Sequence, residues 1–112
     1  MTVQIKNIIE PTPLTTAAVT LYTSENVSTI IDKLTVSNVN GAAQTYSVHL
    51  VSAGQTASDA NTIVKDKTVF AGGTDTCFEA IGHTLDQGDF IAVSGSVADD
   101  LSIRASGRLV SI

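Results

Sequence analysis

From Leu14 onward the chain alternates apolar and polar residues, the pattern of strands with one buried face. Turn-forming residues interrupt the alternation every 8–12 residues or so, and no segment keeps a helical period over the length of a helix. The pattern predicts an all-β, two-sheet β-sandwich or jelly-roll-like domain of seven to eight short antiparallel strands. The predicted strands cover residues 14–23, 27–39, 44–52, 63–71, 76–81, 90–93 and 101–112, and the apolar alternation of the run 63–71 is mixed.

Asn40-Gly41, residues that tolerate positive φ, join the second run to the third. This junction predicts a hairpin in which the two runs pair. Its inward residues are expected to be Ile30, Leu34 and Val36 on the first strand and Tyr46, Val48 and Leu50 on the second.

Two later runs carry their own signals. Lys65, Asp66 and Lys67 place charge in the middle of one run, which is typical of an edge strand protected against stray pairing. In the last run, Arg104 and Arg108 are predicted to face outward. The expected inward residues of that run are Leu101, Ile103, Ala105 and Leu109.

Residues 1–13 differ from the rest, because Pro11 and Pro13 interrupt any continuous strand or helix. We interpret them as an extended N-terminal arm that precedes one domain, residues 14–112. Its apolar side chains have little reason to order in a monomer and are expected to lie on a partner, so deleting residues 1–10 should leave a folded domain. These candidate interface residues are Val3, Ile5, Ile8 and Ile9.

Composition strengthens the β prediction, since Val, Ile and Thr supply 37 of the 112 residues. A net charge of −5 with six dispersed basic residues argues against nucleic acid as a partner. No apolar run has the length of a membrane span or of a secretory signal, so we expect no membrane contact. The single cysteine excludes an internal disulfide.

Candidate chemistry is sparse. His49 and His83 lack the paired spacing of a metal site, and Cys77, between Thr76 and Phe78, is expected to be a small buried hydrophobe. Asp86 and Asp89 flank Gly88 without an EF-hand loop, which favours a hydrogen-bonded turn over a calcium site. We therefore expect no enzyme activity, no cofactor and no metal.

Arg104 and Arg108 remain candidates for binding, because they share one outward strand face in a chain with few basic residues. Two interpretations stand equally: contacts to carboxylates on a neighbouring chain, or pairing with carboxylates of the same chain.

Five segments occur in an order and at spacings that resemble small all-β virion proteins of tailed bacteriophages. The resemblance extends from about Leu21 to Gly107 and rests on packing and turn motifs. The segments are Ile31-Asp32-Lys33-Leu34-Thr35-Val36, Val48-His49-Leu50-Val51, Asp59-Ala60-Asn61-Thr62-Ile63-Val64, Leu85-Asp86-Gln87-Gly88-Asp89 and Ser102-Ile103-Arg104-Ala105-Ser106-Gly107.

The resemblance implies a non-enzymatic structural protein, made in the bacterial host cytoplasm and present in many copies on the virion. The favoured role is capsid decoration, or cementing, with the major capsid protein or other virion proteins as partners and a homo-oligomer on the particle. The alternatives are a tail, neck or fibre-attachment accessory and a receptor- or sugar-binding module. For such a module the candidate polar and aromatic residues are few: Tyr22, Asn38, Gln44 and Tyr46.

Overall fold

The computed structural model describes residues 2–111; Met1 and Ile112, the outer ends of the predicted arm and domain, lie outside that range. Within it nine strands form two antiparallel sheets, which confirms the predicted all-β sandwich. A short 3-10 turn, Asp59–Asn61, precedes the fifth strand. The strands are β1 (Val3–Pro13), β2 (Val19–Thr23), β3 (Val27–Asn38), β4 (Gln44–Val51), β5 (Thr62–Val69), β6 (Thr74–Thr76), β7 (Thr84–Leu85), β8 (Phe90–Gly95) and β9 (Leu101–Ser111).

Most successive strands lie in opposite sheets, as in a jelly roll; the exceptions are β4 and β5, which share one sheet, and β6 and β7, which share the other. Sheet 1 has the order β1-β9-β3-β6, with β7 also paired to β3, and sheet 2 has the order β2-β8-β4-β5. Sheet 1 is thus built around β9, the last strand, which lies between β1 and β3. Among residues 2–111 no helix is long and apolar enough to cross a membrane.

The core lies between the sheets and is filled from the inward positions of both. In β9 the predicted inward residues Leu101, Ile103, Ala105 and Leu109 are all buried, and Arg104 and Arg108 are exposed. The strict alternation of this strand therefore predicted its orientation correctly. The largest fully buried side chains include Tyr46, Leu14, Ile31, Leu34, Ile91, Leu101 and Ile103.

The predicted hairpin at Asn40-Gly41 is wrong. β3 pairs with β9, β6 and β7, whereas β4 pairs with β8 and β5, so the turn crosses from sheet 1 to sheet 2. Alternation could not separate the two arrangements, because strands on opposite sides of one core bury the same faces. The buried Asn38 supports the crossing, since its amide donates to the carbonyls of Ala42 (2.9 Å) and Val69 (3.0 Å).

The predicted inward face of β3 is also partly wrong. A bulge lies between Ile31 and Lys33 in the pairing with β9 and shifts the phase of the strand. Ile31 is fully buried as a result, whereas Ile30, expected to face inward, is only half-buried. Leu34 and Val36, beyond the bulge, are buried as predicted.

Residues 3–13 are extended, as predicted for the arm, but they do not stand apart from the sandwich. They form β1, which pairs with β9 from Val3 opposite Val110 to Pro13 opposite Ser102. Two irregularities interrupt the register, one between Lys6 and Ile9 and one between Ile9 and Thr12, and Pro11 lies within the second. Proline is tolerated there because β1 is an edge strand.

β5 is one of the two edge strands of sheet 2, as its central charges predicted. The strand expected over residues 76–81 is shorter and begins earlier, at Thr74–Thr76. Beyond it the chain turns along the edge of β3, where Cys77 N donates to Leu34 O (2.9 Å) and Gly82 N to Ile31 O (2.7 Å).

Candidate interaction surfaces

β1 divides into an exposed half and a buried half. Val3 is 53% exposed and Ile5 is 83% exposed, whereas Ile8 and Ile9 are buried in the core at 6% and 2%. The four arm residues predicted as one interface therefore have two roles. Ile8 and Ile9 stabilise the fold, and only Val3 and Ile5 remain accessible to another molecule.

The backbone of the first half of β1 is open on one side. Ser111 N donates to Thr2 O at 2.9 Å, and the register is regular from Val3 to Lys6. Because hydrogen-bonded and non-bonded positions alternate along an antiparallel pair, Val3 and Ile5 direct their N–H and C=O groups away from β9. No other strand of residues 2–111 lies on that side of β1.

The other sheet edges are short or irregular. β5 carries Lys65 and Asp66, and Asp66 breaks the strand geometry with a φ of 50°. β2 has 5 residues and a bulge, and β6 and β7 have 3 and 2. Since charge, bulges and brevity all discourage pairing between chains, residues 3–6 of β1, where the register is regular, present the least protected edge of the described residues.

Arg108 pairs within the chain, one of the two arrangements expected from its sequence. Its Nη2 lies 2.9 Å from Asp32 Oδ1, and its Nε lies 3.0 and 3.1 Å from the two carboxylate oxygens. Asp32 sits at the β3 bulge, which carries it toward Arg108 on the outer face of sheet 1. The pair is exposed to solvent, so it neutralises the charge of Arg108 but contributes little to the free energy of unfolding.

Arg104 lies on the same face without such a partner. Within residues 2–111 neither Arg104 nor Lys33 forms an ion pair. Both line a groove of about 510 Å³ that Pro11 borders. We call it the Arg104 groove; its other side chains are mainly hydroxyls, from Thr35, Ser37, Ser102 and Ser106.

Lys33 was not recognised as a site residue from the sequence. Alternation correctly places it on the outward face of its strand with Thr35 and Ser37. Alternation cannot predict that β3 pairs with β9. The pairing sets Thr35 opposite Arg104 and Lys33 opposite Ser106. This pairing joins residues about seventy positions apart in the chain, beyond the reach of a local pattern.

Two turns at one end of the sandwich carry carboxylates. Gly88 N donates to Ser24 O at 2.7 Å, which holds the turn of residues 86–89 against the turn of residues 24–26. Asp89 accepts from the backbone N–H groups of Ala53 and Asp86, both at 3.0 Å, which confirms the predicted hydrogen-bonded turn. Glu25 and Asp86 are exposed and form no ion pair within the described range.

The histidines and the cysteine are placed apart from one another. His49 is half-buried, with Nδ1 3.0 Å from the Thr62 hydroxyl and 3.2 Å from Ser58 O, and His83 is exposed. Cys77 is fully buried, as predicted for a free cysteine, and burial raises the pKa of its thiol. Across residues 2–111 no three His, Cys, Asp or Glu side chains are grouped to hold a metal ion.

Comparison with known proteins gives a relationship of fold. No protein-family model and no curated protein matches the chain. Among solved structures, it is similar to a chain described under the words "Bacillus endospore appendages form a novel family of disulfide-linked pili", with a TM-score of 0.59 and 13% sequence identity. The match covers 99% of this chain and 89% of that chain, so the two share the architecture of the whole sandwich.

Proposed function

We propose that this chain is a non-enzymatic structural subunit that joins copies of itself into an extended assembly. The observation that carries the proposal is the first half of β1, where exposed apolar side chains and unpaired backbone groups coincide at Val3 and Ile5. The similar solved structure is described as a pilus, which supports a role in an appendage. An edge of this kind accepts a strand from another chain.

The expected contact is modest for each copy. Burying Val3 and Ile5 on a neighbour contributes about 1.5–3 kcal/mol for each side chain before ordering costs are subtracted. The added backbone hydrogen bonds contribute about 0.5–1.5 kcal/mol each. Such contacts leave a dilute chain monomeric and become effective when repeated along an assembly, because each subunit is then held by more than one neighbour.

The proposed assembly is non-covalent. The pilus described for the similar structure is disulfide-linked. In this chain the one cysteine, Cys77, is 0% exposed and lies behind Glu79, whose carboxylate is 3.9 Å from its sulfur. A thiol in that position does not reach a second chain unless the fold opens. Assembly of these 112 residues should therefore be insensitive to reducing agents.

A second candidate is the virion role, which the five segments resembling phage proteins favour. As a capsid decoration protein the chain would reside on the virion and bind a shell of major capsid protein instead of polymerising alone. The module that binds a receptor or sugar has less support. Of its four candidate residues, Tyr46 and Asn38 are each 1% exposed, and the Tyr22 hydroxyl bonds to Thr29 at 2.7 Å.

The experiment is assembly of the purified chain as a function of concentration, followed by sedimentation velocity and negative-stain electron microscopy. The test variant is Ile5→Lys, which adds charge to the open edge. The matched control is Val39→Lys, because Val39 is 84% exposed on the turn between β3 and β4. Wild type and Val39→Lys should form oligomers, whereas Ile5→Lys should form far fewer and smaller ones at the same concentration, with an unchanged thermal midpoint.

Two results would overturn the proposal: a wild-type chain that stays monomeric at every concentration, or Ile5→Lys chains that assemble as wild type does. A monomeric chain that nevertheless binds purified phage capsids in hundreds of copies would establish the second candidate instead. Mass spectrometry of the particles supplies that copy number.

A further inference from the structure

The outer face of sheet 1 contains a local excess of positive charge in an acidic protein. The chain has 6 basic and 11 acidic residues. Lys67 pairs with Asp75 and Glu79, and Arg108 pairs with Asp32. Two of the remaining four basic residues, Lys33 and Arg104, line the Arg104 groove, and no carboxylate of residues 2–111 pairs with either.

The groove is suited to carboxylates by geometry as well as by charge. Lys33 and Arg104 are diagonal neighbours on adjacent strands, a placement that separates their Cα atoms by about 7–8 Å. Two carboxylates can therefore bind side by side, one to the Lys33 ammonium and one to the planar Arg104 guanidinium. Thr35 and Ser106 add hydroxyl donors for the remaining carboxylate oxygens, and the Ser37–Ser102 pair, whose hydroxyls bond to each other at 3.1 Å, keeps one O–H to donate.

The same molecule carries two exposed carboxylates on neighbouring turns of a different surface. Glu25 and Asp86 are exposed on the turns 24–26 and 86–89, which the Gly88–Ser24 bond holds together. Gln87 Nε2 also donates to Asn26 Oδ1 at 3.3 Å, which ties the two turns a second time. We call this surface the Asp86 end. Its rigidity matters because a pre-ordered turn loses little entropy when it docks.

We infer that the Arg104 groove binds the Asp86 end of a second copy of this chain, through Lys33 and Arg104 on one subunit and Glu25 and Asp86 on the other. The inference rests on the proposed function and names a second joint in the assembly, distinct from the β1 edge. Charge complementarity supports this occupant, since chains that each carry −5 repel unless opposite local charges meet.

The proposed joint uses two different surfaces of the chain, so it is heterologous. A heterologous contact leaves one unused groove and one unused acidic end on every open oligomer. It therefore produces a ring if the rotation closes and an open filament if it does not. This outcome agrees with a subunit of an extended assembly and would not arise from a two-fold contact, which consumes identical surfaces.

The experiment exchanges charges between the two surfaces in the full chain. Arg104→Glu places like charges in the joint, and so does Asp86→Arg, so each variant alone should assemble at least tenfold less well than wild type at about 20 mM salt. Mixed in equal amounts, the two variants should assemble again. In the mixture every groove finds an end of opposite charge, provided that the two chains alternate.

Matched controls separate this effect from net charge. Lys65→Glu changes the net charge as Arg104→Glu does, on the exposed surface of β5. Asp59→Arg matches Asp86→Arg in the same way on the loop before β5. Neither control should alter assembly, and raising the salt to about 500 mM should weaken wild-type assembly while leaving the fold intact.

The outcomes distinguish the two proposals. If wild type assembles but Arg104→Glu and Asp86→Arg assemble equally well, the groove is not a joint, and assembly through β1 stands. If Arg104→Glu fails to assemble, Asp86→Arg assembles as wild type does and the mixture gives no recovery, the groove binds some other surface. The assignment to the Asp86 end is then overturned. A wild-type chain that remains monomeric overturns both proposals.

Discussion

The Tyr46 hydroxyl donates a hydrogen bond to the Asp75 carboxylate, which ties β4 of sheet 2 to β6 of sheet 1 across the core. Tyr46 is 1% exposed, and Asp75 also lies 3.2 Å from Lys67 Nζ, which approaches Glu79 at 3.0 Å. The Asp75 carboxylate therefore has partners on two strands, Tyr46 on β4 and Lys67 on β5. This polar tie holds the short strand β6 in place where little apolar surface is available.

Replacing Tyr46 with phenylalanine removes only the hydroxyl and leaves the ring in the core. Because the acceptor is a carboxylate, we expect a loss of about 1.5–3 kcal/mol in the free energy of unfolding, measured in urea. Tyr22→Phe is the matched control, since its hydroxyl bonds to the neutral Thr29 hydroxyl and should cost about 0.5–1.5 kcal/mol. A smaller loss for Tyr46→Phe than for Tyr22→Phe would contradict this account.

Stability should decline at alkaline pH. Burial raises the pKa of Tyr46 above its ordinary value of 10.0, and the bond to Asp75 raises it further. Burial likewise raises the pKa of Cys77 above 9.0. Both groups lose their protons first in the unfolded chain, so their full contribution is present below about pH 9 and is lost as the pH rises. Each group that is ionised in the unfolded chain but protonated in the folded chain lowers the free energy of unfolding by about 1.4 kcal/mol per pH unit.

The measurement is urea unfolding at intervals from pH 8 to pH 11. Tyr46→Phe should show a shallower decline than wild type above pH 10, since one titrating group is gone. Parallel curves for the two proteins above pH 10 would rule out Tyr46 as a source of the alkaline loss.

Asn38 should be essential to the crossing between the sheets. Asn38→Ala leaves the carbonyls of Ala42 and Val69 without the amide donor and opens space at a site that is 1% exposed. We expect a loss of about 2–4 kcal/mol in the free energy of unfolding. Asn40→Ala, at an exposed position of the same turn, should cost less than about 1 kcal/mol. Equal costs would show that the buried amide has no special role.

Ile9→Ala should destabilise the chain by about 2–5 kcal/mol, and Ile5→Ala should change its stability by less than about 0.5 kcal/mol. The two isoleucines lie on one strand but are 2% and 83% exposed. Deleting residues 1–10 should unfold the protein, in contrast to the folded domain expected from the sequence, because β9 would lose its neighbour on one side. Circular dichroism of the deleted chain decides between the two.

The alternation of apolar and polar residues predicted the features that depend on a single strand. It oriented β9 correctly, identified β5 as an edge and placed Arg104 outward, since each conclusion depends on neighbours within one strand. It failed at Ile30, where a bulge changes the phase, and at Asn40-Gly41, where a turn joins two sheets. The Arg104 groove was beyond its reach because Lys33 and Arg104 meet only through the pairing of β3 with β9.

The position of β9 between β1 and β3 has a consequence for the chain during its synthesis. Of the nine strands, β1 is synthesised first, yet its only strand neighbour among residues 2–111 is β9, which is synthesised last of the nine. Sheet 1 therefore closes after translation has passed Leu101, and the topology favours slow folding through contacts distant in sequence. The open edge at Val3 and Ile5 takes shape in the same late step. Until β9 is available, β1 has no strand partner and Ile8 and Ile9 are uncovered, so the incomplete fold is the state most prone to non-native association.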